Sequence, residues 1–145
     1  ELTRRLLPSM IRNKSGRLLN VGSTAGDQPG PFMAVYYASK AYVLSLSESL
    51  ARELRPFGVR VSVVAPGPVE TQFHDRMGAG TSLYRRLLPS ARPASVARTA
   101  VLGYSLGMIV VLPGLVTLAT FAALRLLPHR LLVPIIGFLL KPRGA

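Results

Sequence analysis

No cysteine occurs in this chain of 145 residues, so it forms no disulfide and offers no thiolate to a metal. A reducing compartment fits that composition, and a cytoplasmic location is expected. The only histidines, His74 and His129, lie far apart and lack ligand spacing, so no metal is expected. Acidic residues are scarce: 6 Asp and Glu face 18 Lys and Arg, a formal net charge of +12. Such a surplus suits nucleic acid or an anionic membrane surface. The cations are scattered, however, and Arg85-Arg86 is the densest pair of the central region. With no basic stripe interleaved with aromatics and no recognition-helix signature, a nucleic-acid partner is not expected. A glycine-rich turn of the G-x-G-x-x-G type is also missing; Gly78 and Gly80 follow no apolar strand and read as loop.

What is present is periodic. Leu2, Leu6, Leu7, Met10 and Ile11 line one side of a helix over 2–12, which Lys14-Ser15-Gly16 ends. Residues 17–22 form a short apolar strand with Ser23 at its finish. Gln28-Pro29-Gly30-Pro31 is a loop. Residues 34–54 are helical, with Val43, Leu46, Leu50 and Leu54 stepping by three and four, and Arg55-Pro56-Phe57-Gly58 stops them. Residues 59–65 are β-branched and apolar, a strand covered on both faces. Strand, helix and strand make a βαβ unit whose crossover should be right-handed. Ser23 and Pro66-Gly67 then fall beyond the carboxyl ends of parallel strands, where open α/β sheets bind ligands.

Tyr36 and Lys40 stand four residues apart at the head of that helix, so both side chains can enter one pocket from one face. A phenol is a weak acid–base catalyst at neutral pH, and a nearby ammonium favours its phenolate. Ser23, thirteen residues before Tyr36, can hydrogen-bond a substrate oxygen and aim it at the phenol. Tyr37 competes with Tyr36, but only Tyr36 has the four-residue step to Lys40.

Asn20-Val21-Gly22-Ser23-Thr24-Ala25-Gly26, Tyr36-Tyr37-Ala38-Ser39-Lys40 and Pro66-Gly67-Pro68-Val69-Glu70-Thr71 follow in an order and at intervals that resemble the second half of a short-chain dehydrogenase/reductase. The resemblance runs from about residue 1 to about residue 76, and is nearest to bacterial members with a basic, apolar C-terminal extension. It implies an α/β fold: a partial Rossmann-like, doubly wound parallel sheet lacking the N-terminal dinucleotide-binding half, followed by apolar helices. Residues 1–76 would be the catalytic half, and 77–145 a substrate-side lid, late helix, strand and apolar helices of the same domain. It implies an NAD(P)-dependent oxidoreductase with Ser23, Tyr36 and Lys40 as catalytic residues. Tyr36, Lys40, Pro66, Gly67, Val69 and Thr71 would contact the NAD or NADP cofactor. The family's further active-site asparagine should precede residue 1, and neither Asn13 nor Asn20 matches it. The residue that chooses between NAD and NADP is missing too, so the chain is expected to be a truncated piece of a longer protein.

Residues 72–98, with Gly78-Ala79-Gly80 and a basic run, resemble the family's substrate lid, and Ser95 is a candidate helix cap. No charge interrupts residues 99–124, a length able in principle to span a bilayer, in apolar blocks 101–106, 108–112 and 115–124 parted by Pro113-Gly114. A core strand over 108–112 followed by a core helix is the favoured reading over a transmembrane helix. A second apolar run, 131–140, surrounds Pro134, with Arg125, Arg130, Lys141 and Arg143 flanking both runs. Peripheral contact with an anionic membrane and burial in a homo-oligomer are further uses for this surface. The expected substrate is a small carbonyl or alcohol, hydrophobic if this region covers the pocket. The rival reading is a non-catalytic membrane-associated or interaction protein on a truncated dehydrogenase scaffold.

Overall fold

The computed structural model describes residues 1–72, 83 and 89–141. Within them, helix α1 (Leu2–Arg12) leads into strand β1 (Gly16–Val21), a 3-10 turn (Thr24–Asp27) and the long helix α2 (Ala34–Leu54). Strand β2 (Val59–Val64), helix α3 (Pro93–Ser105), strand β3 (Val110–Val111) and helices α4 (Leu115–Arg125) and α5 (His129–Leu140) follow. The strands lie in the order β1-β2-β3, all parallel. Leu18 pairs with Val61, Val21 with Val64 and Val63 with Val110. Each expected strand is thus found within a residue or two of its predicted ends, except that the expected 108–112 strand shrinks to Val110–Val111.

β2 is the centre of the molecule because its β-branched side chains suit a pleated surface buried on both sides. Val59, Val61 and Val63 pack toward α2, joined by Leu7, Met10 and Ile11 of α1. Val64 faces the other way, against Ala100 of α3 and Val111 of β3. Helices therefore cover both faces of the sheet, as the sequence reading required. Only Arg60 of β2 is exposed.

Helix α2 has the expected limits, but its buried stripe is Tyr37, Leu44, Ser47, Ala51 and Leu54. Val43 and Leu50 sit at the edge of the core instead. Ser47 is fully buried because its hydroxyl donates to the Val43 carbonyl at 2.6 Å and accepts from Asn20 Nδ2 at 2.9 Å. A buried polar group whose hydrogen bonds are satisfied is tolerated, and an apolar periodicity passes over it.

Two expectations for the C-terminal third change. Ser95 lies inside α3 and its hydroxyl donates to the Arg92 carbonyl, so Arg92, with Pro93 behind it, takes the cap position. The helix expected to be core, α4, contains no buried residue; α5 supplies the core side chains Leu132, Ile136 and Leu140. Gly107 and Pro113-Gly114 divide the charge-free run into separate elements. Among the described residues, no helix is long and apolar enough to cross a membrane. His74, Gly78-Ala79-Gly80 and Arg85-Arg86, the heart of the expected lid, lie outside the described residues.

Candidate active site

β1 ends where its last pair, Val21 with Val64, closes the ladder, and the Gly22 amide continues onto the Val64 carbonyl at 2.8 Å. The chain then turns sharply, and Ser23 caps the 3-10 turn: its hydroxyl oxygen accepts from the Ala25 amide at 3.1 Å. The same hydroxyl reaches the Pro66 carbonyl at 3.4 Å, while the Thr24 amide donates to that carbonyl at 3.1 Å. The segments after β1 and β2 are thereby tied to each other at the carboxyl edge of the sheet. Gly26 lets the turn press onto α2. A Cβ there would stand 2.6 Å from the Lys40 backbone carbonyl, closer than any side chain tolerates.

Tyr36 occupies the first turn of α2 and Lys40 the next, on the same face. The Lys40 ammonium donates to the Val21 carbonyl at 3.2 Å and stands 5.8 Å from the centre of the Tyr36 ring. Tyr37 meets Tyr36 edge to face at 5.9 Å but is only 5% exposed, packed with Ala25, Leu132 and Ile136. The two adjacent tyrosines thus part, one toward the core and the other half-buried at a cavity wall.

That cavity, about 280 Å³ in volume, gathers Ser23, Tyr36, Lys40, Pro66, Gly67, Val69 and Thr71. Every residue picked out in the sequence as catalytic or cofactor-contacting lines it. Val69 is held in place by a parallel bridge to Ala91, through the Glu70 amide on the Ala91 carbonyl and the Ala91 amide on the Pro68 carbonyl. Gly67 also faces α4, since a Cβ there would lie 3.2 Å from the Thr117 hydroxyl. Sequence reasoning missed Met33 and Leu140, which supply apolar walls. Nothing in an apolar run says which of its residues will reach a distant cavity; Leu140 does so because α5 docks on Tyr37.

Asp27, at the end of the 3-10 turn, receives Arg125 Nε of α4 at 3.1 Å. Burial lifts its carboxyl above the ordinary carboxylate range, outweighing the Arg125 guanidinium that pulls it down. The pair anchors α4 beside the turn that carries Ser23. Asn20, by contrast, is spent on Ser47 and does not line the cavity.

A hydroxyl, a phenol and an ammonium converging on an apolar-walled cavity form an arrangement able to hold a carbonyl oxygen and pass it a proton. Known proteins share the frame. Human 11-beta-hydroxysteroid dehydrogenase type 2 is 46% identical over 72 residues, 50% of this chain and 18% of that enzyme. The structure of a short-chain dehydrogenase from Sphingobium yanoikuyae in complex with NADPH aligns over 85% of this chain and 47% of its own, at 30% identity and a TM-score of 0.72. A 3-ketoacyl-(acyl-carrier-protein) reductase from Brucella melitensis, complexed with NADH, aligns over 77% of this chain and 49% of its own, at 29% identity and a TM-score of 0.61. The chain therefore spans about half the length of these solved structures and less of the curated relative. The family profile for short chain dehydrogenase matches residues 1–81, more than half of the sequence, and on that match this chain belongs to the short chain dehydrogenase family.

Proposed function

We propose that this chain carries the proton-transfer centre of an NAD(P)-dependent oxidoreductase acting on a hydrophobic ketone or secondary alcohol. The observation that carries the reading is the meeting of Ser23, Tyr36 and Lys40 with the 66–71 segment in one cavity at the carboxyl edge of the sheet. Ser23 holds the substrate oxygen. The Tyr36 hydroxyl donates a proton to that oxygen in reduction and accepts it back in oxidation. Lys40 places a positive charge beside the phenol and offers its remaining hydrogens to hydroxyl groups of a bound ligand.

The residues fit one end of a nicotinamide dinucleotide, NAD or NADP, which supplies or takes up the hydride when bound. The cavity has room for a ring and its sugar, an ammonium wall, and a backbone rim at 66–69. Relatives whose structures hold NADPH or NADH support the cofactor class. Apolar walls from Ala25, Met33, Val69 and Leu140 support a hydrophobic substrate.

Tyr36→Phe, made in the protein that carries this chain, tests the reading. Turnover should fall by about 10²-fold or more, the scale of a lost general acid, while calorimetric affinity for NADH or NADPH stays within about threefold. Unchanged turnover would remove Tyr36 from the mechanism. A ketone panel graded by chain length checks the substrate class, with kcat/KM expected to rise with apolar length.

A further inference from the structure

We infer that α5 lies in the plane of an anionic lipid surface, seated through a stripe made by Leu131, Ile135 and Phe138. From Leu131 to Leu140 the helix is apolar all round. One face buries Leu132, Ile136 and Leu140 to 2–3% exposure against Ala25 and Tyr37. The face turned away from this core leaves Leu131 53%, Ile135 46% and Phe138 68% exposed. Steps of four and three residues put these side chains on a single stripe. A helix apolar on every side is normally covered on every side.

The charge around the stripe says what covers it. Arg130 and Lys141 stand at the two ends of α5, both exposed. Arg130 precedes Leu131, roughly 100° around the helix from the stripe, where its stem can lie along acyl chains and its guanidinium reach headgroups. The asymmetry is global. Residues 76–145 hold 9 of the 18 Lys and Arg and none of the 6 Asp and Glu. A second copy of the chain seated on this face would set Arg130 and Lys141 against the same cations of its twin. An anionic membrane neutralises these cations and buries the stripe at once. No described helix is both long and apolar enough to cross a membrane, and α5 has only 12 residues, so the proposed contact is in-plane.

The chain holds no tryptophan, so Phe138→Trp installs a fluorescent reporter on the stripe, and Tyr42→Trp installs a control on the exposed side of α2. With vesicles of phosphatidylglycerol and phosphatidylcholine, emission from position 138 should shift to the blue and be quenched by brominated acyl chains. Position 42 should show neither change, and pure phosphatidylcholine should give no effect at either. Leu131→Glu with Ile135→Glu, both at exposed positions, should weaken vesicle binding by more than about tenfold without lowering the melting temperature. Equal binding by that double variant would reduce the attraction to charge alone and overturn the proposal. So would a position-138 emission already blue without lipid and unmoved by it, which would assign the stripe to a protein partner. Should the double variant fail to fold, the reporter decides alone.

Discussion

Tyr36 and Tyr37 are the same chemical group one bond apart along the chain, and their surroundings give them opposite roles. Tyr37 is a core residue, so Tyr37→Ala should destabilise the protein by about 3–5 kcal/mol, read from urea denaturation. Tyr36→Phe keeps the ring that leans on this core and removes one hydroxyl, so it should cost at most about 1.5 kcal/mol, and its effect on turnover is readable as chemistry. The four-residue step to Lys40 already separated the pair in the sequence, and burial separates them again. Asp27 is a residue whose behaviour no sequence pattern signals, because its partner Arg125 arrives from a helix far along the chain. Its folded-state pKa is raised by burial, so the folded state binds that proton more tightly than the unfolded chain. As pH climbs from the ordinary carboxylate value to the raised one, this group's contribution to stability therefore declines. Arg125→Gln removes the influence that opposes burial. It should push the Asp27 titration further up, visible in a carboxyl carbon NMR titration; a downward move would contradict the assignment.

Among elements, the βαβ unit was the most legible, since β-branched runs and a three-four apolar step carry their own periods. What escaped was a matter of small and polar side chains. Ser47 and Ala51 complete the buried stripe of α2, one through paired hydrogen bonds and the other because a methyl fills the space near β2. The roles of α4 and α5 were equally hidden, because both read as apolar and only packing decides which of them meets Tyr37. The turn into β2 was legible and yields a sharp test. Gly58 ends a short 3-10 turn, Arg55–Phe57, at φ 71°, and a Cβ there would run into the Lys14 carbonyl that follows α1. Gly58→Ala combines a left-handed backbone with a steric clash, so a loss of more than about 2 kcal/mol is expected in thermal or urea unfolding. An effect near zero would mean that the junction of α1 with the start of β2 yields freely.

At the scale of the whole molecule, the described residues set the cavity between two bodies of core. One is the sheet sandwiched by α1, α2 and α3, with Val59, Val63 and Val111 almost without exposure. The other is the cluster of Ala25, Tyr37, Leu132, Ile136 and Leu140, against which Tyr36 and Met33 lean. Tyr36, Lys40 and Ser23 hang from the first body, while the apolar wall at Leu140 belongs to the second. Such a division predicts separable stabilities, because local opening follows the number of buried apolar contacts holding each unit. Ile136→Ala leaves a void in the smaller body and should cost it about 2–5 kcal/mol. In hydrogen exchange, the amides of 129–140 should then lose protection while those of β2 keep theirs, and substrate KM should rise more than kcat falls. Uniform loss of protection across β2 and α5 would show one cooperative core instead, and the wall at Leu140 would then have no freedom of its own to shape the cavity.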